Sequence, residues 1–129
     1  MGLILLVALI GGALGPAGEI AFVDEAGTPT SRVCVVDLET GIKTSVGPGE
    51  WDGAPNWSPD GQWLCFETGG GEGRGIYVVR SDGSEGRGLE LSRAWNVMPN
   101  WSTDCTRLVF SASSERGGLG VISVYDLNS

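Results

Sequence analysis

Two short segments, Trp51-Asp52 and Trp95-Asn96, each set an aromatic ring beside a hydrogen-bonding side chain, and they stand 44 residues apart. A ring with a polar neighbour is the composition of a recognition surface, here suited to a peptide or a sugar. The same tryptophans can instead act as packing between structural units, because an aromatic side chain buries a large area. Asp60 and Asp104, also 44 residues apart, raise the question of metal binding. Each follows a Ser-x sequence typical of a turn, where an Asp side chain bonds its own backbone, and no Asp cluster has the spacing of a calcium loop. The expectation is no metal and no cofactor. The chain has no histidine and no Gly-x-Ser-x-Gly elbow, so a Ser-His-Asp triad is excluded and no residue is read as catalytic.

Three cysteines, Cys34, Cys65 and Cys105, leave at least one thiol unpaired, and their spacing matches no zinc or redox motif. A Cys34–Cys65 disulfide stays open at this point, since connectivity does not follow from sequence. Eight Lys and Arg stand against sixteen Asp and Glu, for a net charge of −8, with no basic cluster. That balance argues against nucleic acid as a partner, because a polyanion needs a basic, salt-sensitive surface.

The residues that must position these side chains form a repeat. Pro55-Asn56-Trp57-Ser58-Pro59-Asp60-Gly61 leads into Trp63-Leu64-Cys65-Phe66, and Pro99-Asn100-Trp101-Ser102-Thr103-Asp104-Cys105 leads into Arg107-Leu108-Val109-Phe110. Phe22, Phe66 and Phe110 keep the same 44-residue period, and Ala21, Cys65 and Val109 share a strand position beside them. An internal period of this kind decides the architecture. Apolar runs at 33–37, 76–80 and 122–126 supply a further strand per repeat, with turns at Thr40-Gly41 and Asp82-Gly83 and short outer strands at 43–46 and 88–92. Each unit reads as four antiparallel strands, over 19–53, 54–97 and 98–129, the third without its outer strand. The 22 glycines and 6 prolines, spread between β-branched and aromatic runs, agree with one all-β domain rich in turns.

Four-stranded units of this length fit the blades of a β-propeller. Trp57 and Trp101, with Asn56 and Asn100, are then expected to pack between blades, since they recur once per unit. Trp51, Asp52, Trp95 and Asn96 precede the opening strands and fall on loops at the rim of the channel. Three blades fall short of the roughly four to eight that close a ring. The chain is therefore expected to be part of a larger ring, or to assemble as a homo-oligomer in which two copies make six blades.

Residues 1–18 carry no charge and contain Leu3-Ile4-Leu5-Leu6-Val7-Ala8-Leu9-Ile10. They read as an export signal or anchor, with a periplasmic or extracellular location, or as the first strand of the first blade, since 7–13 lie one period before 51–57; the latter fits a cytoplasmic protein.

The pattern Pro-x-Trp-Ser-Pro-Asp-Gly-x-x-Leu-x-Phe followed by Ile-Tyr-Val-Val and Asp-Gly, at 55–83, resembles the TolB-type, WD40-like propeller repeat. The third copy departs from it at Thr103 and Cys105, and the first matches only in its Phe and Val-Val strands. The resemblance implies a propeller that contacts partner proteins and has no active site. Its alternative is part of the propeller domain of a prolyl-oligopeptidase-like peptidase or a polysaccharide-acting enzyme, with the catalytic part outside these residues. It brings no catalytic residue to carry over.

Overall fold

Ten β-strands and no helix make up the described residues, 18–25 and 30–129 of a computed structural model. The apolar run at 3–10, read as signal or first strand, lies outside the described residues. Strands β1 (Glu19–Asp24), β2 (Arg32–Asp37) and β3 (Lys43–Ser45) form one antiparallel sheet. Strands β4 (Gly53–Trp57), β5 (Trp63–Gly70), β6 (Gly73–Arg80) and β7 (Arg87–Gly88) make a second antiparallel set in the same order, and β8 (Trp95–Trp101), β9 (Arg107–Ser113) and β10 (Val121–Asp126) a third. A single parallel bridge, Arg74 to Trp95, joins the second and third sets into one seven-stranded sheet. Its counterpart between the first and second is the lone bridge Ser31 to Trp51. These are three blades, each touching the next at one corner by backbone and otherwise by side chains.

Side-chain alternation along the strands puts one apolar row on each face of a blade. Val33 and Val35 of blade 1 pack against Trp57, Leu64, Phe66 and Val79 of blade 2. On the other face of blade 2, Cys65, Ile76 and Val78 pack against Leu108, Phe110 and Ala112 of blade 3. The two interfaces use equivalent positions, as the period requires. All three cysteines are free. Cys34 alternates with Val33 and Val35 and so faces away from blade 2, whereas Cys65 faces blade 3, which rules out the pairing left open by sequence. Burial pushes both the Cys34 and the Cys65 thiol above the usual range.

The strand expected at 88–92 is shorter and earlier. Only Arg87 and Gly88 pair with β6, Leu89 adds one bond to the Ile76 carbonyl, and the chain then leaves for β8. The third blade likewise opens at Trp95, ahead of the expected boundary at residue 98. Each opening strand carries a bulge at its proline, between Gly53 and Asn56 and between Val97 and Asn100. Pro55 and Pro99 fit there because a bulge does not demand the N–H that proline lacks.

The turn that follows has the same frame in both copies, with one further bond, from Thr106 Oγ1, in the second. Asp60 Oδ1 accepts from Ser58 Oγ at 2.5 Å and from the Gln62 N–H at 3.0 Å. Asp104 Oδ1 accepts from Ser102 Oγ at 2.6 Å, Thr106 Oγ1 at 2.7 Å and the Thr106 N–H at 3.1 Å. The Ser102 hydroxyl, then that of Thr106, hold the Asp104 carboxyl down at about 2. Gly61 and Cys105 close the two turns with φ of 69° and 61°. Glycine enters that left-handed region freely, while a Cβ makes it costly. Replacing Cys105 by Gly should therefore raise stability by roughly 1 kcal/mol. A urea midpoint that stays put or falls would show that this turn holds no strain.

Candidate functional site: a rim recess between blades

Antiparallel order brings distant residues to one end of the blades. Each opening strand starts where the hairpin between the second and third strands turns, so Trp51, the tip at Gly70 and Gly71, the start of β6 at Arg74, Trp95, and Arg116 between β9 and β10 gather together. They line a recess of about 260 Å³. Trp51 is 45% exposed, and its Cδ1 lies so close to Gly70 that a Cβ there would stand 3.6 Å away. Trp95 is half-buried, with the Arg116 guanidinium carbon 5.9 Å from its ring centroid. Arg74 Nη1 donates to Glu67 Oε2 at 2.9 Å, and Glu67 Oε1 accepts the Met98 N–H at 2.8 Å. The blade 2 wall of the recess is thus tied to blade 3. Among the described residues Arg116 makes no ion pair.

Asp52 and Asn96, expected beside the tryptophans on the rim, are instead 2% exposed. Asp52 clasps blades 1 and 2. Its Oδ2 accepts from the Gly49 N–H at 3.1 Å and the Val33 N–H at 3.4 Å, its Oδ1 from Thr68 Oγ1 at 2.8 Å, and its backbone exchanges bonds with Ser31. Asn96 fills the same position in blade 3 with the opposite polarity. Its Nδ2 donates to the carbonyls of Arg93 at 2.7 Å and Arg74 at 3.0 Å. Asn96 Oδ1 has no partner, since Ala112 stands where Thr68 donates to Asp52. These two side chains hold the blades together beside the recess; they do not line it.

Trp57 and Trp101 lie between blades. Trp57 belongs to the core between blades 1 and 2, and Trp101 Nε1 donates to the Asn56 carbonyl at 3.2 Å while Asn56 Nδ2 donates to the Pro99 carbonyl at 2.8 Å. Asn100 Oδ1 takes the N–H of Trp101 at 2.8 Å. Asp60 and Asp104 serve their turns, and among the described residues no group of three or more His, Cys, Asp or Glu converges. Arg74 and Arg116 were not singled out by sequence. A signal for them exists, since both fall at the hairpins that antiparallel pairing must return to the rim.

Taken together, the blades and their shared rim define three successive units of a β-propeller. No family model matches the chain, and no curated protein matches its sequence. Solved structures do match. The putative TolB from Agrobacterium tumefaciens aligns with a TM-score of 0.75 at 21% identity, over 91% of this chain and 45% of that one. TolB from Acinetobacter baumannii aligns with a TM-score of 0.73 at 18% identity, over 93% of this chain and 31% of that one. The β-propeller domain of the Trilobed protease from Pyrococcus furiosus, described as having an open velcro topology, gives 0.64 at 15%, over 85% and 35%. The chain has the fold of a partial TolB-like propeller, and it spans less than half the length of these chains.

Proposed function

We propose that the chain is a non-catalytic binding module, exported from the cytoplasm, whose rim recess takes an acidic stretch of a peptide or protein partner. The observation that carries this reading is the convergence of Trp51 and Trp95 from successive blades with Arg74 and Arg116 in one recess. Indole rings offer large contact area at small entropic cost, and guanidinium groups select carboxylates. In a chain of net charge −8, Arg116, which makes no ion pair among the described residues, stands beside two tryptophans as the cation for an acidic residue, while Arg74 is already paired with Glu67. The apolar run at 3–10 supports export. A carbohydrate bearing carboxylates is the second ligand class with the right chemistry, and the neighbouring fold of a protease propeller leaves the enzyme-associated alternative as the competing reading.

The test selects a random heptapeptide phage library on the purified chain and titrates the enriched peptides by isothermal calorimetry. Enrichment in Asp or Glu is expected, and Trp51→Ala and Trp95→Ala should each weaken binding by about 1–3 kcal/mol while the melting temperature changes little. Peptides that bind both variants as well as the parent chain would remove the recess as the site. A melt lowered as far as by Trp57→Ala would show that the rim tryptophans are core.

A further inference from the structure

The seam between blades 2 and 3 holds a buried acceptor that lacks a donor. Asn96 is 2% exposed, and its Nδ2 is committed to the carbonyls of Arg93 and Arg74. Those two bonds fix which way the amide faces, because turning it over would set its oxygen against two carbonyls. Oδ1 is thereby left without a donor among the described residues. Folded proteins seldom leave such a group unmet, and where no side chain reaches it the bond comes from water or a ligand.

The seam between blades 1 and 2 shows what is missing. There Asp52 occupies the Asn96 position, and its Oδ1 accepts the Thr68 hydroxyl at 2.8 Å. Gly53 pairs with Glu67, so Asp52 stands opposite Thr68, and Asn96 pairs in the same way with Ala112, which has no hydroxyl to give. Beside this gap lies a cavity of about 290 Å³, with Asn96 and Ala112 both in its wall. The segment leaving blade 2 contributes Glu90, Ser92 and Arg93, and blade 3 contributes Phe110, Ser123 and Tyr125. Both sides of the cavity come from blades 2 and 3, whatever stands against their outer neighbours. None of its residues belongs to the rim recess.

We propose that this cavity binds a neutral, hydroxyl-bearing small molecule, one sugar ring or short polyol in size. A ligand hydroxyl donates to Asn96 Oδ1 and takes the place that Thr68 Oγ1 holds in the preceding seam. The acceptor is an uncharged amide, and Glu90 and Arg93 flank it with opposite charges, so the cavity favours neither an anion nor a cation. Ser92, Ser123 and Tyr125 bring further hydroxyls, while Leu91 and Phe110 give it an apolar wall. A mostly apolar lining with a few placed polar groups is the usual composition of a small-ligand site, and such sites start at roughly 300 Å³. The space suits one ring and not a chain of them.

Saturation-transfer NMR on the full 129-residue chain tests the proposal, with glucose, galactose, mannose and xylitol as separate probes. At least one should bind saturably in the low millimolar range or tighter. Ala112→Thr supplies the hydroxyl from within, so it should raise the melting temperature and weaken that binding by roughly tenfold or more. Trp51→Ala should leave the binding unchanged, which separates this site from the rim recess. Should Ala112→Thr fail to fold, Ala112→Ser carries the same hydroxyl with one methyl fewer and gives the reading. If none of the probes binds, water alone serves Asn96 and the proposal is overturned. Equal binding by the parent and the hydroxyl-bearing variant overturns it too, since the ligand then lies elsewhere. Binding of ethanolamine with none of the four neutral probes would assign the cavity to a cation and overturn it as well.

Discussion

Truncating Phe66 to Ala should destabilise the chain by roughly 3–5 kcal/mol. The ring has no solvent exposure and sits at the middle of the interface between blades 1 and 2, among Val33, Val35, Val46, Trp57, Leu64 and Val79. Its centroid is 5.4 Å from that of Tyr77, in a tilted pair. The cost depends on how far the neighbours can close over the cavity. Here they are held on several sides. The backbone at Gly47 already approaches so closely that a Cβ there would stand 3.2 Å from Phe66 Cε2, and the strands bearing the other neighbours are fixed by ladder bonds. The upper part of the range is therefore expected. Urea unfolding with an unchanged slope and a lower midpoint is the measurement. A midpoint equal to that of the parent chain would mean that Phe66 does not face blade 1 and that the strand register is misassigned.

A comparable loss, about 3 kcal/mol or more, should follow Asp52→Ala, for a polar reason. Removing the carboxyl leaves the N–H groups of Val33 and Gly49 and the hydroxyl of Thr68 facing an empty, buried space. Each unsatisfied buried donor costs about 1–3 kcal/mol. Asp52→Asn should recover much of this, because it conserves shape. Its amide oxygen can accept both N–H groups while its NH₂ donates to the Thr68 hydroxyl, which accepts as well as donates. Gly47→Ala should act on the same group, since its new Cβ would overlap the Asp52 carboxyl. Thermal melts of the three variants decide the matter. Full stability of Asp52→Ala would show that the donors turn to other partners, and that the clasp between the blades lies elsewhere.

Much of the architecture was legible from residue types alone. The Ser-x-Asp turns with Gly61 or Cys105 at their close, the alternation that buries Phe66 and Phe110, and the prolines at the opening strands are local properties, each set by the chain within a few residues. Their recurrence every 44 residues was enough to specify blades. Where local signals thinned, at Gly88 to the start of β8, the strand came out shorter than its neighbours, because its length depends on how soon the chain must cross to the next blade.

Tertiary structure alone decided three things. It buried Asp52 and Asn96 in the seams between blades, although both follow a tryptophan at a repeat position expected on the rim. It drew Arg74 and Arg116 into the recess of Trp51 and Trp95, residues up to 65 positions apart that share only an end of the sheet. It also separated Ile76 and Val78, which are buried, from Ile122 and Val124, which are open. An apolar, alternating run states that a strand has a face to cover. Which neighbour stands across from that face is a property of how the blades are arranged in space, and no local pattern of side chains carries it.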